Sequence, residues 1–223
     1  APANERQRVS HASGAGIEGV AASERVGESA GAKLPGSRED TGVNNVQLGM
    51  WLFLASEAML FGGLFSAYFM LRAGATEAWR PMTGHTAAAM VSTALLFGGT
   101  AAFAMALRMA RARRIPAFRG WMIAAVLLPL LFVPYKGLQY FDLAEFQIYP
   151  STSTQWATYF LLTGVHAAHV AGGVLVNAWL LMTGTATWVG AAPRVINRME
   201  ATALYWYFVD LVWILIFVLM YVV

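Results

Sequence analysis

The stretch Leu48–Leu71, LGMWLFLASEAMLFGGLFSAYFML, decides the fold. It is apolar almost throughout, carries a single charge at Glu57, and is long enough at about 1.5 Å per residue to cross a hydrocarbon core of roughly 30 Å as a helix. Four more stretches of this kind follow at 86–108, 120–140, 155–182 and 200–223. A bilayer obliges each crossing to satisfy its own backbone hydrogen bonds, and the dyad alternation of a membrane barrel is absent, so the spans read as helices. The expected fold is all-α, an integral membrane bundle of five transmembrane helices.

Composition agrees. Of 223 residues, 58% are hydrophobic and 12% charged, and the mean hydropathy is +0.53. A soluble domain carries about 25% charged residues. The net charge of +3 comes with Arg clustered beside apolar spans, which reads as an orientation signal rather than nucleic-acid binding. The absence of cysteine excludes disulfides, thiolate catalysis, Cys-ligated zinc, iron–sulfur clusters and Cys-based copper sites.

Residues 1–46 differ from the rest. They are rich in Ala, Gly and Ser, with scattered charges of both signs and no apolar periodicity. Such a segment cannot offset its ordering entropy and is expected to be a disordered or extended N-terminal arm, without the apolar core of a signal peptide. Residues 47–223 then form the membrane domain.

Positive charge in the short loops sets the orientation. One side holds Arg108, Arg111, Arg113, Arg114 and Arg119, then Arg194 and Arg198, with Lys33 and Arg38 on the arm; the other holds Arg72, Arg80 and Lys136. This bias predicts an N-in, C-out topology. Trp79, Trp121, Trp156 and Trp188 fall near span ends, where indoles favour the interface. Segment 183–199, with Gly184, Gly190 and Pro193, reads as a connection, and Arg194 and Arg198 are candidate contacts for lipid headgroups.

Polar groups inside the spans need a reason, because a carboxylate at the bilayer centre costs about 2.5–3.5 kcal/mol on insertion scales. Glu57 and Asp210 are such groups. Each is read either as a proton-exchanging or partner-bonding carboxyl or as a structural hydrogen bond to a neighbouring helix. Glu200 opens the last predicted span, where a helix N-terminus favours an anion. His166 and His169 share a helix face. A metal or haem would need further ligands, so interhelical or headgroup hydrogen bonding is the reading for this pair. Small residues at Gly164, Ala168 and Gly172, beside Ala171 and Gly173, at Gly62, Gly63, Ser66 and Ala67, and at Gly98 and Gly99 are expected to let helices approach closely. Pro129 and Pro134 should bend the third span. No phosphate-binding loop, Ser-His-Asp layout or HExxH motif is present.

Three motifs resemble a known family. Gly49-Met50-Trp51-Leu52-Phe53-Leu54-Ala55-Ser56-Glu57, followed by Phe61-Gly62-Gly63-Leu64-Phe65 and Tyr68, is the first. Thr163-Gly164-Val165-His166-Ala167-Ala168-His169-Val170, then Gly172 and Gly173, is the second, and Tyr205-Trp206-Tyr207-Phe208-Val209-Asp210-Leu211-Val212-Trp213 is the third. In this order they resemble subunit III of the haem–copper oxidases, in the five-helix form found in bacteria rather than the seven-helix form. Tyr207 stands where the family usually has His, and Ala167-Ala168 replaces a Gly-bearing pair.

The resemblance implies a multi-pass subunit of a bacterial plasma membrane. It would be docked on oxidase subunit I beside other oxidase subunits and membrane lipids, with membership of a respiratory supercomplex open. It implies no cofactor in this chain, the haem and copper belonging to partner subunits, with structural phospholipid as a further ligand. The family's seven-helix members hold phospholipids in a cleft whose one wall, the first two helices, this chain lacks. The subunit would stabilise subunit I against turnover-linked inactivation and sustain its proton uptake during reduction of oxygen to water. Glu57 matches the family's intramembrane carboxyl, which reacts with carbodiimide. Cytochrome c and quinol both remain open as electron donors. Two alternatives stand beside this reading: a subunit-III-like component associated with nitric oxide reductase, and a stand-alone transporter using Glu57 and Asp210, against which the lack of an internal repeat counts.

Overall fold

The structure, a computed structural model, describes residues 45–186 and 188–223. Residues 1–44 of the expected N-terminal arm lie outside the described residues, and its last two, Asn45 and Val46, already belong to the first helix. All described regular structure is helical: α1 (Asn45–Ala73), a 3-10 turn (Thr83–His85), α2 (Thr86–Arg111), α3 (Ile115–Glu145), α4 (Thr154–Ala186), α5 (Trp188–Phe217) and a closing π turn (Val218–Val222). Five helices are long and apolar enough to cross a membrane.

Helices α2 to α5 form a ring. Each packs on the next in chain order, and α5 returns to pack on α2. Close approach depends on two glycines. A methyl group on Gly99 of α2 would lie 2.7 Å from Pro129 Cδ on α3, and one on Gly173 of α4 would lie 2.9 Å from Tyr205 Cε1 and Trp206 Cζ2 on α5. These contacts exclude any side chain. The ring interior is filled by large apolar groups, among them Phe103, Phe132, Tyr159, Trp206 and Trp213. One of its polar cross-links is Asn177, which accepts from Trp206 Nε1 at 3.0 Å and donates to the Ala125 carbonyl at 2.9 Å.

Helix α1 is attached differently. Only 17% of its apolar window is buried, against 28–44% in the other spans. Its contacts are long side chains: Phe61 against Phe208 and His169, Phe53 against Tyr205, and Tyr68 donating to the Leu219 carbonyl at 2.9 Å. Gly62 and Gly63 face open space, and Ser66 and Ala67 are exposed. The close-packing role expected for that row is therefore not used within the chain. In α4, Gly172 is also open and Ala168 is exposed; the helix turns Gly173 into the contact instead.

Several expectations need correction. Each helix extends beyond the apolar stretch that announces it, because helical hydrogen bonding continues into the polar flanks. The supposed connection 183–199 is mostly helical, with Pro193 inside α5. Lys136 is not in a loop but buried in α3, 1% exposed. Glu200 lies well inside α5 rather than at its start. It is held by Arg111 Nη2 at 2.7 Å and faces Gln47 Nε2 at 3.4 Å, which ties α1, α2 and α5 together at the Arg-rich end.

The turns after α2 and α3 share one solution. Arg113 and Gln147 adopt left-handed backbone (φ 54° and 57°). Arg114 N donates to the Met109 carbonyl at 3.0 Å, and Ile148 N to the Leu143 carbonyl at 2.9 Å. Both are Schellman caps without glycine, each bearing a steric cost of about 1–2 kcal/mol. At the other end of α5, Met82 N, Tyr68 Oη and Arg72 Nη2 donate to carbonyls of Met220, Leu219 and Val223.

Candidate intramembrane proton site

Glu57 of α1 and His169 of α4 meet near the middle of their spans. Glu57 Oε2 lies 2.7 Å from His169 Nε2, and the side chains are only 15% and 17% exposed. The other ring nitrogen, Nδ1, lies 2.8 Å from the Val165 carbonyl one turn back on α4. A carbonyl only accepts, so Nδ1 carries a hydrogen. Nε2 and Oε2 then share one further proton, as carboxylic acid with neutral imidazole or as carboxylate with imidazolium. In both arrangements the link holds a single exchangeable proton and no buried charge is left unpaired.

The surroundings fix this geometry. Phe61, one turn along α1 from Glu57, packs its ring 5.1 Å from the imidazole. Tyr205 of α5 donates to the His169 carbonyl at 2.8 Å, and Gly173 allows α5 close enough to do so. Beside Tyr205, a groove of about 240 Å³ is lined by Met50, Phe53, Gly172, Val176 and Thr202.

The two histidines singled out in the sequence do different work. His169 joins Glu57, whereas His166 is fully buried. Its ring sits 5.2 Å from that of Trp213 and 5.9 Å from that of Phe132, and neither nitrogen has a hydrogen-bond partner. Among the described residues, no three His, Asp or Glu side chains converge as a metal site would need. Asp210 on α5 is 7% exposed and faces the Thr100 hydroxyl on α2, the neighbouring helix; its Oδ1 and Thr100 Oγ1 are both buried. Arg198 lies over the Trp179 ring at 5.1 Å, and Arg194 is exposed.

Sequence reading missed Lys136. Its Nζ has three oxygen neighbours for three donors: Gln139 Oε1 at 3.0 Å, Tyr159 Oη at 3.1 Å and Tyr221 Oη at 3.5 Å. Among the described residues, no carboxylate joins them. The rings of Tyr159, Trp213 and Tyr140, at 5.1, 5.4 and 5.9 Å, supply the negative faces instead. The signal was available in Pro134-Tyr135-Lys136-Gly137, a lysine inside an apolar run, but Pro and Gly there mimic a loop.

A bundle of five membrane-crossing helices among the described residues, with a Glu–His pair near mid-membrane, defines a polytopic membrane protein. The family model for cytochrome c oxidase subunit III matches residues 28–223. The chain is 31% identical over 179 residues to a probable cytochrome c oxidase subunit 3 of Mycobacterium leprae, covering 80% of this chain and 88% of that one. It is 29% identical over 184 residues to a probable quinol oxidase subunit 3 of Staphylococcus haemolyticus, with 79% and 88% coverage. A heme-copper oxidase subunit I+III of Aeropyrum pernix matches at 30% over 191 residues, 81% of this chain and 23% of the longer one. The chain belongs to the cytochrome c oxidase subunit III family, as a subunit III of a haem–copper oxidase and a multi-pass membrane protein. Neither the nitric-oxide-reductase-associated nor the transporter alternative is favoured.

Proposed function

We propose that this chain is the cofactor-free subunit III that docks on the haem- and copper-bearing subunit I and prolongs its catalytic life while sustaining proton uptake. The observation that carries this reading is the Glu57–His169 pair, a 2.7 Å side-chain contact near mid-membrane in a chain of this family. The relative described as subunit I+III supports the choice of partner. The Arg concentration around the α2–α3 turn supports an orientation with that end, and the N-terminus, in the cytoplasm of a bacterial cell. Arg194 and Arg198 at the same end suit phospholipid headgroups.

Removing the subunit from the intact oxidase is expected to leave the haem spectrum of subunit I unchanged and to shorten the number of turnovers before inactivation. A changed spectrum, or an unchanged lifetime, overturns the reading. Glu57→Gln keeps a hydrogen bond to His169 but removes the acid. It is expected to assemble normally and to abolish labelling of this chain by a hydrophobic carbodiimide. Labelling that persists would assign the reactive carboxyl elsewhere.

A further inference from the structure

We propose that the Glu57–His169 pair exchanges its proton with one side of the membrane only, through the groove between α1, α4 and α5 on the Arg-rich side of the pair, and that Phe61 seals the pair from the other side. The proposal rests on the subunit reading above and specifies the route by which the pair meets solvent.

The residues that line the groove lie on one side of the pair. On α1, Met50 and Phe53 precede Glu57 by about two turns and one turn; on α4, which runs the opposite way, Gly172 and Val176 follow His169 by about one turn and two. Thr202 and Tyr205 complete the lining from α5, just past Glu200. Glu200 binds Arg111 Nη2 at 2.7 Å and meets Gln47 Nε2 at 3.4 Å, so the groove of about 240 Å³ lies between this ionic cluster and the pair. Tyr205 spans the last step, since it lines the groove and donates to the His169 carbonyl at 2.8 Å. The opposite direction is closed. Phe61, one turn past Glu57, is 3% exposed and sets its ring 5.1 Å from the His169 imidazole and 6.1 Å from the Phe208 ring. Phe65 lies against Phe61, and the buried Tyr68 fills the seam beyond, its hydroxyl on the Leu219 carbonyl. Rings packed in this way leave no room for water.

A carboxyl in the membrane faces the bundle interior or a water-filled cavity. Glu57 and His169 keep 15% and 17% side-chain exposure, so the pair is not closed on every side. The groove has room for several waters at about 30 Å³ each. Its two hydroxyls, Thr202 Oγ1 and Tyr205 Oη, spend their hydrogens on the Arg198 carbonyl at 2.9 Å and the His169 carbonyl at 2.8 Å, and keep lone pairs with which to accept from water. Together with the charged cluster beyond, these oxygens give water the polar partners it needs to stay. A proton passes between the pair and this water, and no electron moves. One-sided contact suits a group that feeds proton uptake, because a pair open to both sides would offer protons a route across the membrane.

The chain has no cysteine, so single cysteines report access in the full oxidase, held in sealed membrane vesicles of either orientation. The probe is a membrane-impermeant cationic methanethiosulfonate, read as mass added to this chain. Gly172→Cys, where an added Cβ meets nothing within 4 Å, is expected to react from the Arg-rich side and not from the other, and Phe65→Cys from neither. Glu57→Cys is expected to react from the Arg-rich side alone, and from both sides once Phe61→Ala is added. Reaction at position 172 with a lipid-soluble maleimide only would mean that acyl chains fill the groove, and overturns the proposal; so does reaction from the opposite side. Unaltered sidedness with Phe61→Ala overturns the seal. Should Glu57→Cys fail to assemble, Gly172→Cys and Phe65→Cys decide the matter with the pair intact. The subunit reading has its own readout in the turnover lifetime: sided labelling beside an unchanged lifetime would reject that reading and leave the route standing.

Discussion

Gly173→Leu will unfold or misassemble this protein under conditions in which Gly172→Leu is tolerated. The two positions are adjacent, yet a methyl on Gly173 would meet Tyr205 and Trp206 at 2.9 Å, while one on Gly172 meets nothing within 4 Å. A leucine at 173 must push α4 away from α5. Overpacking of that kind costs about 1–3 kcal/mol. The displacement also strains two bonds that cross the same seam, Tyr205 Oη to the His169 carbonyl at 2.8 Å and Trp206 Nε1 to Asn177 at 3.0 Å. Each is worth about 0.5–1.5 kcal/mol. Since His169 is also the partner of Glu57, carbodiimide reactivity at Glu57 should change with the stability. The thermal midpoint of detergent-solubilised protein and carbodiimide labelling check both halves; equal midpoints for the two variants would refute the packing account.

The second large effect concerns Lys136. Gln139→Leu removes the nearest of three oxygens around the buried Lys136 Nζ and is expected to cost about 1–3 kcal/mol, the penalty for a buried donor left without its acceptor. Replacing the lysine as well, in Lys136→Met/Gln139→Leu, should recover much of that loss. Methionine fills similar volume, Tyr159 and Tyr221 remain bonded to each other at 3.0 Å, and no amine is left short of acceptors. The double variant should therefore be more stable than Gln139→Leu alone. Strict additivity in a double-mutant cycle would show that Lys136 and Gln139 do not depend on each other.

Spans and their polar occupants are legible in a chain like this because a bilayer punishes every charge and rewards every apolar run of sufficient length. Glu57, Asp210, His166 and His169 all stand out for that reason. Pairing is a different matter. Glu57 and His169 are separated by 112 residues, and only the packing of α1 against α4 brings them within 2.7 Å. The same limit explains the glycines. Gly164, Ala168 and Gly172 form the more regular row, but one residue is about 100° of rotation, and the helix presents Gly173 to its neighbour. Lys136 was misplaced because its proline and glycine neighbours, common in membrane helices, look like a turn when read locally.

The closed ring of α2 to α5 has an evolutionary corollary. Because that circuit completes itself without α1, and α1 is fastened by protruding side chains, whatever precedes it in the polypeptide can be added or trimmed with little disturbance to the ring. An architecture of this sort tolerates change at its amino-terminal flank.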